Sequence, residues 1–589
     1  MALAAEVVGV LAGVCTTDEL NNGVAEVRAL SAETLASPLA GRDPRTGGSA
    51  MTGRQSDVVA AGAEWSAAAE MDAFETVMWR AEADPRLRST LTLVEVLDQV
   101  PDADRLLRAH DWASRIVPRF RQRVVEPPLT LGAPAWVTVA ELDFDYHLKH
   151  LHLPAPGTLS QVLEIAQSVA MSPFDRTRPL WEAVVIDGLQ GGRAAYILKA
   201  HHCITDGIGG VQLLAMLHSR TREPMRDRPE PAAPPADTRT AVEILAAQTA
   251  RQVADAPGWA IRKSTAAVGL AAMALRSPAR TASDAAAFAS SLRRVANPAT
   301  GTSSPLLRPR SLEWRFEIAE VPLADLKAAA KSAGGSVNDA FVAAVLGGFR
   351  RYHEHFGVPV DTIPVAMPIS LRTATDAAGG NRFAAARFPA PVAERDPRER
   401  MRQVREFVIA TRAEPAVNAA ALLSPVLSHL PGAMVARVLA SMTASNDAQV
   451  SNVPGIPYPV YLAGARITHM YPFGPLPGCA AMITLISHAG TCCIGINTDA
   501  AAITDPALFR TCIIQGINEI LALRLAASAS ATWTPRSEPA PTPAPSAGLA
   551  SACWAAGELW LLLLNFPLPP VVDREVGFAL VSQRWAANR

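Results

Sequence analysis

Charge is scarce in this chain of 589 residues: charged side chains make up 19% of it, below the roughly 25% usual for globular proteins. The 54 basic and 55 acidic groups nearly cancel. No overall field is left to steer the protein onto nucleic acid or an anionic bilayer, so any membrane affinity must be hydrophobic. Cysteine is sparse as well. The seven (Cys15, Cys203, Cys479, Cys492, Cys493, Cys512, Cys553) are odd in number and contain no C-x-x-C pair. That argues against a disulfide framework or a thiolate zinc site and fits a reducing cytoplasm. The start, MALAAEVVGVLAGVC, carries Glu6 and no Lys or Arg before Arg28, which speaks against a secretory signal. Near the other end the longest apolar stretch, Leu559 to Val572, contains Asn565 and three prolines and is shorter than the ~20 residues a spanning helix needs. No G-x-S-x-G elbow or Walker loop occurs, which removes the usual serine-hydrolase and nucleotide-driven readings. What the chain does have is apolar mass, 49% of its residues, which excludes wholesale disorder and supplies a sizeable core.

Texture changes along the chain suggest its organisation. Residues 1–70 are rich in Ala, Gly, Thr and Ser and read as a poorly ordered extension. From Met71 a globular half begins, with a β-type run at Leu91 to Leu97 and a helix predicted after a cap at Asp102. Arg193 to Ala200 (RAAYILKA) reads as a strand that ends directly on His201 and His202, and Ile208 to Leu217 as a helix. The first half therefore spans 71–221. A proline-rich linker and Ala-rich helices fill 222–310, and a second half occupies 311–525. In that second half helices are expected at Pro322 to Ala330, with the proline in the first helical position, and at Val337 to His353. Strands are expected near Val365, at Ala480 to His488 and at Thr491 to Thr498. The tail, 526–589, is Pro, Ala and Ser low complexity followed by an apolar patch.

The sharpest constellation is HHCITDG, His201 to Gly207, between a strand and a Gly-rich turn. Histidine, with an unperturbed pKa of ~6.5, suits general acid and base chemistry at neutral pH, and a strand fixes where its ring points. The glycines permit sharp turns and close approach of a ligand to the main chain. Residue type alone leaves open a packed histidine beside an exposed one. Cys203 reads as a buried structural thiol, since adjacent strand residues face opposite ways. His147, His150 and His152 have zinc-compatible spacing, but a strand would split them between faces and no nearby ligand completes a site, so no metal site is assigned.

The H-H-x-x-x-D-G pattern resembles the hallmark of the chloramphenicol acetyltransferase and condensation-domain superfamily. Over roughly Met71 to Leu525 the chain further resembles the bacterial wax ester synthase/diacylglycerol acyltransferase family. Four blocks carry that likeness: FDRTRPLWEAVVIDG (Phe174 to Gly188), SVNDA (Ser336 to Ala340), MPISLRTATDAAGGN (Met367 to Asn381) and SNVPGIPYPVYLAGARITHMYPFG (Ser451 to Gly474). NVPGIP departs from the commoner NVPGP. Taken as residues, Trp181 reads as a core tryptophan. Asn338 and Asp339 read equally well as a helix N-cap with a first-turn acid or as groups near an acyl carbonyl. The turn after Asn452 reads as a shape element, not a proton carrier.

The resemblance implies an α/β fold of two chloramphenicol-acetyltransferase-like lobes, each a mixed β-sheet backed by helices, with the active-site tunnel between them. It implies transfer of a long-chain acyl group from acyl-CoA to the hydroxyl of diacylglycerol, with a long-chain alcohol as the alternative acceptor. His202 would be the general base, His201 a supporting residue, and Asp206 and Gly207 would shape the motif. Asp206 would pair with an arginine, for which Arg121 is proposed, and Asn338 and Asp339 are the substrate-binding or oxyanion candidates. No metal or redox cofactor is implied beyond acyl-CoA as co-substrate. Low charge and apolar surface suit a cytoplasmic protein peripheral to the inner membrane face or lipid bodies. A carrier-protein-dependent condensation enzyme and a non-catalytic lipid-binding homologue are the competing readings.

Overall fold

The computed structural model describes residues 68–223, 231–255, 276, 301–370, 383–412, 424, 427–443 and 446–531. Most of the expected extension and tail, most of the Ala-rich segment beyond 255 and most of the block Met367 to Asn381 lie outside them. The chain divides into two compact units, Met1–Arg524 and Leu525–Arg589. The first holds both sheets; of the second, only the last residues of one helix are described.

The elements follow from local sequence. In the first half the strands are β1 (Thr90–Leu97), β2 (Gln122–Val125), β3 (Ala135–Thr138), β4 (Leu148–His152), β5 (Trp181–Leu189) and β6 (Arg193–His201). Four helices of this half matter below: α1 (Ala73–Ala81), α2 (Ala103–Ile116), α3 (Leu159–Met171) and α4 (Gly207–Leu217). The cap expected at Asp102 is present, its carboxylate accepting the Arg105 N–H at 2.8 Å. In the second half come β7 (Trp314–Pro322), α5 (Leu323–Ser332), α6 (Val337–His355), β8 (Thr362–Ser370), β9 (Phe383–Pro391) and β10 (Ala448–Val453). They are followed by β11 (Tyr461–Leu462), β12 (Ala465–Phe473), β13 (Ala481–His488), β14 (Thr491–Asp499) and α7 (Pro506–Ala531). Pro322 stands at the N-cap of α5 and not in its first turn, because its carbonyl side opens the helix while its ring still closes β7. The Ala-rich segment is helical over 241–255.

Two mixed sheets result, in the orders β11-β12-β1-β6-β5-β4 and β7-β14-β13-β10-β8-β9. In the first, β4 and β5 are parallel and the other pairs antiparallel; in the second, β10 runs parallel to β8 and β13. The expected fold class is therefore present. Segment 461–473, which the linear partition places in the second half, joins the first sheet by pairing β12 with β1 from Phe473↔Thr92 to Ile467↔Leu97. The halves so defined follow the chain but not the sheets.

Helix α6 is buried along nearly its whole length and forms the spine of the second core with Phe341, Val345 and Phe349. Helix α7 crosses it closely, since a Cβ at Gly516 would stand 2.1 Å from the Ala344 carbonyl. The seam between the sheets is equally tight. Phe316 stacks on Phe473 with ring centroids 3.9 Å apart, and β7 is tied to α3 through a Phe316 N–H to Gln167 bond of 3.0 Å. A third close approach lies in the NVPG block, where a Cβ on Gly455 would meet the Ser487 carbonyl at 1.9 Å. Gly455→Ala should therefore destabilise the fold by about 1–3 kcal/mol, read as a lower denaturant midpoint at unchanged slope.

Candidate active site

The two motif histidines leave β6 with opposite assignments. Ladder pairing runs to Thr90↔His201, and the His202 N–H donates to the Ser89 carbonyl at 2.8 Å; 202–204 then form a turn closed by the Ile204 N–H to the His201 carbonyl at 3.0 Å. Burial separates the two residues. His201 is fully buried, edge-on to Trp79 and Phe174 at 5.9 Å from each ring. Its Nδ1 accepts the Cys203 N–H at 3.0 Å, which places the ring proton on Nε2, 3.0 Å from Oε1 of Glu82. That same carboxylate oxygen accepts the Ser89 N–H at 2.8 Å. Burial opposes ionisation of Glu82, but the His201 ring, the Ser89 N–H and Arg176 outweigh it and hold its pKa down to about 2. One carboxylate thus braces both His201 and the segment that carries His202. His202 is half-buried and opens the turn that follows the strand.

Asp206 caps α4: its Oδ1 accepts the Gly209 N–H at 2.9 Å, and the residue is 5% exposed. The cap fixes the turn that follows the histidines. Arg121 is not its partner. The guanidinium donates to Ser114 Oγ at 3.0 Å and pairs with Asp111, because α2 presents both groups to the loop that leads into β2. Gly207 packs against the NVPG block, where a Cβ would lie 3.0 Å from Val453 Cγ2. Two blocks remote in sequence therefore meet at the head of α4.

The structure places Asn338 and Asp339 in the first turn of α6. The N-cap of α6 is Ser336, and Asp339 completes a capping box: its Oδ2 accepts the Ser336 N–H at 2.8 Å while its own N–H donates to Ser336 Oγ at 3.3 Å. The Asn338 amide nitrogen lies 3.7 Å from Met367 Sδ. Neither residue's hydrogen bonds reach the histidine turn. Cys203 is fully buried, with its thiol pushed up by desolvation and then by Glu75 and Glu82, so it is no nucleophile. His147 Nδ1 contacts the Trp181 carbonyl at 2.7 Å, His150 Nε2 lies 2.9 Å from one Asp187 oxygen, and His152 takes the other. His150 and His152 share a face, two residues apart on β4, while His147 precedes the strand. Among the described residues no group of three such side chains could hold a metal.

The PLWE block works as scaffold. Trp181 is 1% exposed, donates its Nε1–H to the Phe120 carbonyl at 2.9 Å and stacks on His147 at 4.5 Å. Glu182 receives the fully buried Lys199 ammonium at 3.0 Å, and Ser172 Oγ takes a second bond from it at 3.1 Å. Glu82 and Lys199 escaped the reading of the motifs. A lone lysine inside the apolar run RAAYILKA signals a paired buried charge. Glu82 carries no such signal, because its partner is remote in the chain.

Glu75, in the first turn of α1, is buried, and desolvation with the nearby Asp72 raises its pKa to about 7. A raised carboxyl stabilises the fold fully below its unfolded value near 4.5, and that contribution is lost as pH rises through about 7. Glu75→Gln keeps an acceptor for the cap and removes the titration. The variant should match the wild type near pH 4.5 and exceed it by about 1–3 kcal/mol at pH 8, measured by thermal unfolding across that range.

At the seam a cleft of about 410 Å³, counting space open to solvent, is lined by Arg88 and Met171 from one side and Arg310, Trp314 and Leu476 from the other. Arg88 directly precedes Ser89, whose carbonyl holds His202.

Residues 66–341 match the wax ester synthase/diacylglycerol acyltransferase catalytic domain, and residues 379–521 the WS/DGAT C-terminal domain. A Mycobacterium tuberculosis protein provisionally named a diacylglycerol O-acyltransferase is 41% identical over 454 residues, spanning 77% of this chain and 92% of its own. The chain belongs to the WS/DGAT family. Its fold is shared with the wax ester synthase/diacylglycerol acyltransferase from Marinobacter aquaeolei VT8, at a TM-score of 0.52 and 19% identity over 78% of this chain and all of the other. The first condensation domain of the calcium-dependent antibiotic synthetase shares it as well, at a TM-score of 0.52 and 16% identity over 77% of this chain and 95% of its own. The condensation-domain likeness is one of fold; both halves of this chain match WS/DGAT models. Among the described residues no helix is long and apolar enough to cross a membrane.

Proposed function

We propose that this WS/DGAT member transfers a long-chain acyl group from acyl-CoA to the free hydroxyl of diacylglycerol, giving triacylglycerol, with a long-chain alcohol as the second acceptor. The observation that carries the reading is the division of labour between the histidines. His201 is fully buried, with its Nδ1 taken by the Cys203 N–H and its Nε2 3.0 Å from the Glu82 carboxylate, whereas His202 is half-buried, so proton transfer falls to His202. His202 removes the acceptor's hydroxyl proton as the oxygen attacks the thioester carbonyl. The C–S bond then breaks, and the same proton passes to the thiolate, so coenzyme A leaves as the free thiol. No acyl-enzyme is needed. Holding both reactants at one point supplies proximity.

The test is purified protein with labelled palmitoyl-CoA and a choice of diacylglycerol or hexadecanol, resolved by lipid chromatography. Labelled triacylglycerol supports the reading, and wax ester alone promotes the alcohol. Absence of either ester with acyl-CoA still bound returns the carrier-protein or non-catalytic readings. Peripheral binding to a lipid surface belongs to the same proposal and rests on the near-zero net charge and the apolar composition. Co-sedimentation with neutral lipid vesicles that is insensitive to salt is expected, and a protein that stays in the supernatant overturns it.

A further inference from the structure

The loop between β2 and β3 holds two leucines out in solvent. Its sequence, PPLTLGAP (Pro127 to Pro134), contains no charge. Leu129 is 86% exposed and Leu131 64%, and among the described residues no large apolar side chain is more exposed than Leu129. The loop is nonetheless firmly mounted. Arg80 of α1, itself buried, ties both of its stems: Nε donates to Glu126 Oε1 at 2.9 Å and Nη2 to the Gly132 carbonyl at 2.7 Å. Trp79 Nε1 donates to the other Glu126 oxygen at 2.9 Å, and the buried Gln248 amide donates to the Ala133 carbonyl at 2.8 Å. Trp79 is also the residue whose ring meets His201, so the loop and the histidine motif share a support.

The tip is strained as well as exposed. Leu129 and Thr130 have φ of 54° and 58°, in the left-handed region that side chains with a Cβ rarely adopt and a β-branched one least of all. A strained backbone that holds leucines outward needs a reason outside the stability of the fold itself. Hydrogen bonding at the tip suits a medium without water. Pro127 and Pro128 have no N–H, and the Thr130 N–H, the Leu131 N–H and the Thr130 hydroxyl are taken within the loop, by the carbonyls of Pro127 at 3.2 Å, Pro128 at 3.2 Å and Leu129 at 2.6 Å. Those donors are already satisfied before the loop leaves water. A convex tip of two leucines is far short of the about 800 Å² per partner that a standard protein interface buries, whereas a lipid surface needs no complementary shape.

From the exposed leucines, the charge-free stretch and the internally bonded tip we infer that Pro127 to Leu131 is a wedge that enters a neutral lipid surface, with Leu129 and Leu131 among the acyl chains. The inference rests on the lipid-surface part of the proposed function and deepens it. It gives that binding a location, on the half of the chain that carries His202. Because the wedge has no charge, the contact is apolar and insensitive to salt.

The test sediments the full chain with phosphatidylcholine vesicles containing diacylglycerol, at low and at high salt, beside the double variant Leu129→Ser with Leu131→Ser. Each leucine contributes about tenfold to partition, so the double variant should bind about 100-fold more weakly at either salt. Both side chains are exposed, so it should keep the wild-type unfolding midpoint. Leu129→Phe with Leu131→Phe keeps the tip apolar and should bind as the wild type does. Equal partition of the double-serine variant and the wild type overturns the inference and leaves lipid binding intact; a wild type that does not sediment overturns both. A wild type that stays off the vesicles but dimerises, with a monomeric double-serine variant, assigns the loop to a second copy of the chain and likewise overturns the wedge. Ester formation from added acyl-CoA is read separately in the same samples. Its absence beside sedimentation that depends on the leucines would sink the transfer reading and leave the wedge standing.

Discussion

His202→Ala lowers the rate of ester formation by about 10²- to 10⁴-fold, the range that a positioned general base contributes, and leaves the unfolding midpoint close to that of the wild type. The side chain is half-buried, and alanine retains the backbone N–H bond to the Ser89 carbonyl. Loss should appear in kcat, with acyl-CoA binding preserved. His201→Ala behaves differently. It strips Glu82 and the Cys203 N–H of a buried partner, so its defect should appear first as instability. A His202→Ala protein with near wild-type turnover would remove this residue from the mechanism, and a variant that lost activity only through unfolding would do the same.

Glu182→Ala has the largest expected effect on stability, about 3–5 kcal/mol, because it leaves the Lys199 ammonium buried without its carboxylate. Burial lowers the Lys199 pKa while Glu182 opposes that shift; without the acid, desolvation prevails and the lysine should release its proton more readily. Lys149, which also pairs with Glu182 at 3.0 Å, is more exposed and can turn to water, so its share of the loss is small. Chemical denaturation gives the magnitude. Lys199→Met combined with Glu182→Leu supplies the control: removal of both charges should recover most of the loss, since an apolar pair of similar volume costs little. A Glu182→Ala variant within 1 kcal/mol of wild type would show that Ser172 and the Phe174 ring, 4.2 Å from the ammonium, suffice to hold the lysine.

The elements that proved easiest to read were those whose determinants are local. Asp102 caps its helix and the run Arg193 to Ala200 forms a strand because capping and β-branching act within a few residues, whereas the expected Gly-rich turn is not one: the chain turns at 202–204, and Gly207, Gly209 and Gly210 already belong to α4. The histidine motif was legible for the same reason. Its division of labour was not, since what distinguishes His201 from His202 is a carboxylate at position 82, more than a hundred residues upstream in the chain. Arg121 shows the reverse error. A free guanidinium on paper is captured in the fold by its own neighbours Asp111 and Ser114. Asp339 was open to two readings in sequence, and the hydrogen bonds to Ser336 decide for the cap.

By itself the sequence determined composition, element types, the order of the blocks and the pairing of a strand exit with two histidines, all of which depend on short-range sterics and hydrogen bonding. Tertiary structure alone decided that strand 465–473 crosses into the first sheet, that Gly207 meets Val453, and that Glu82 braces both His201 and Ser89. These contacts join residues far apart in the chain. Their stability comes from burying apolar surface and satisfying buried polar groups together, and no local window of sequence contains both partners.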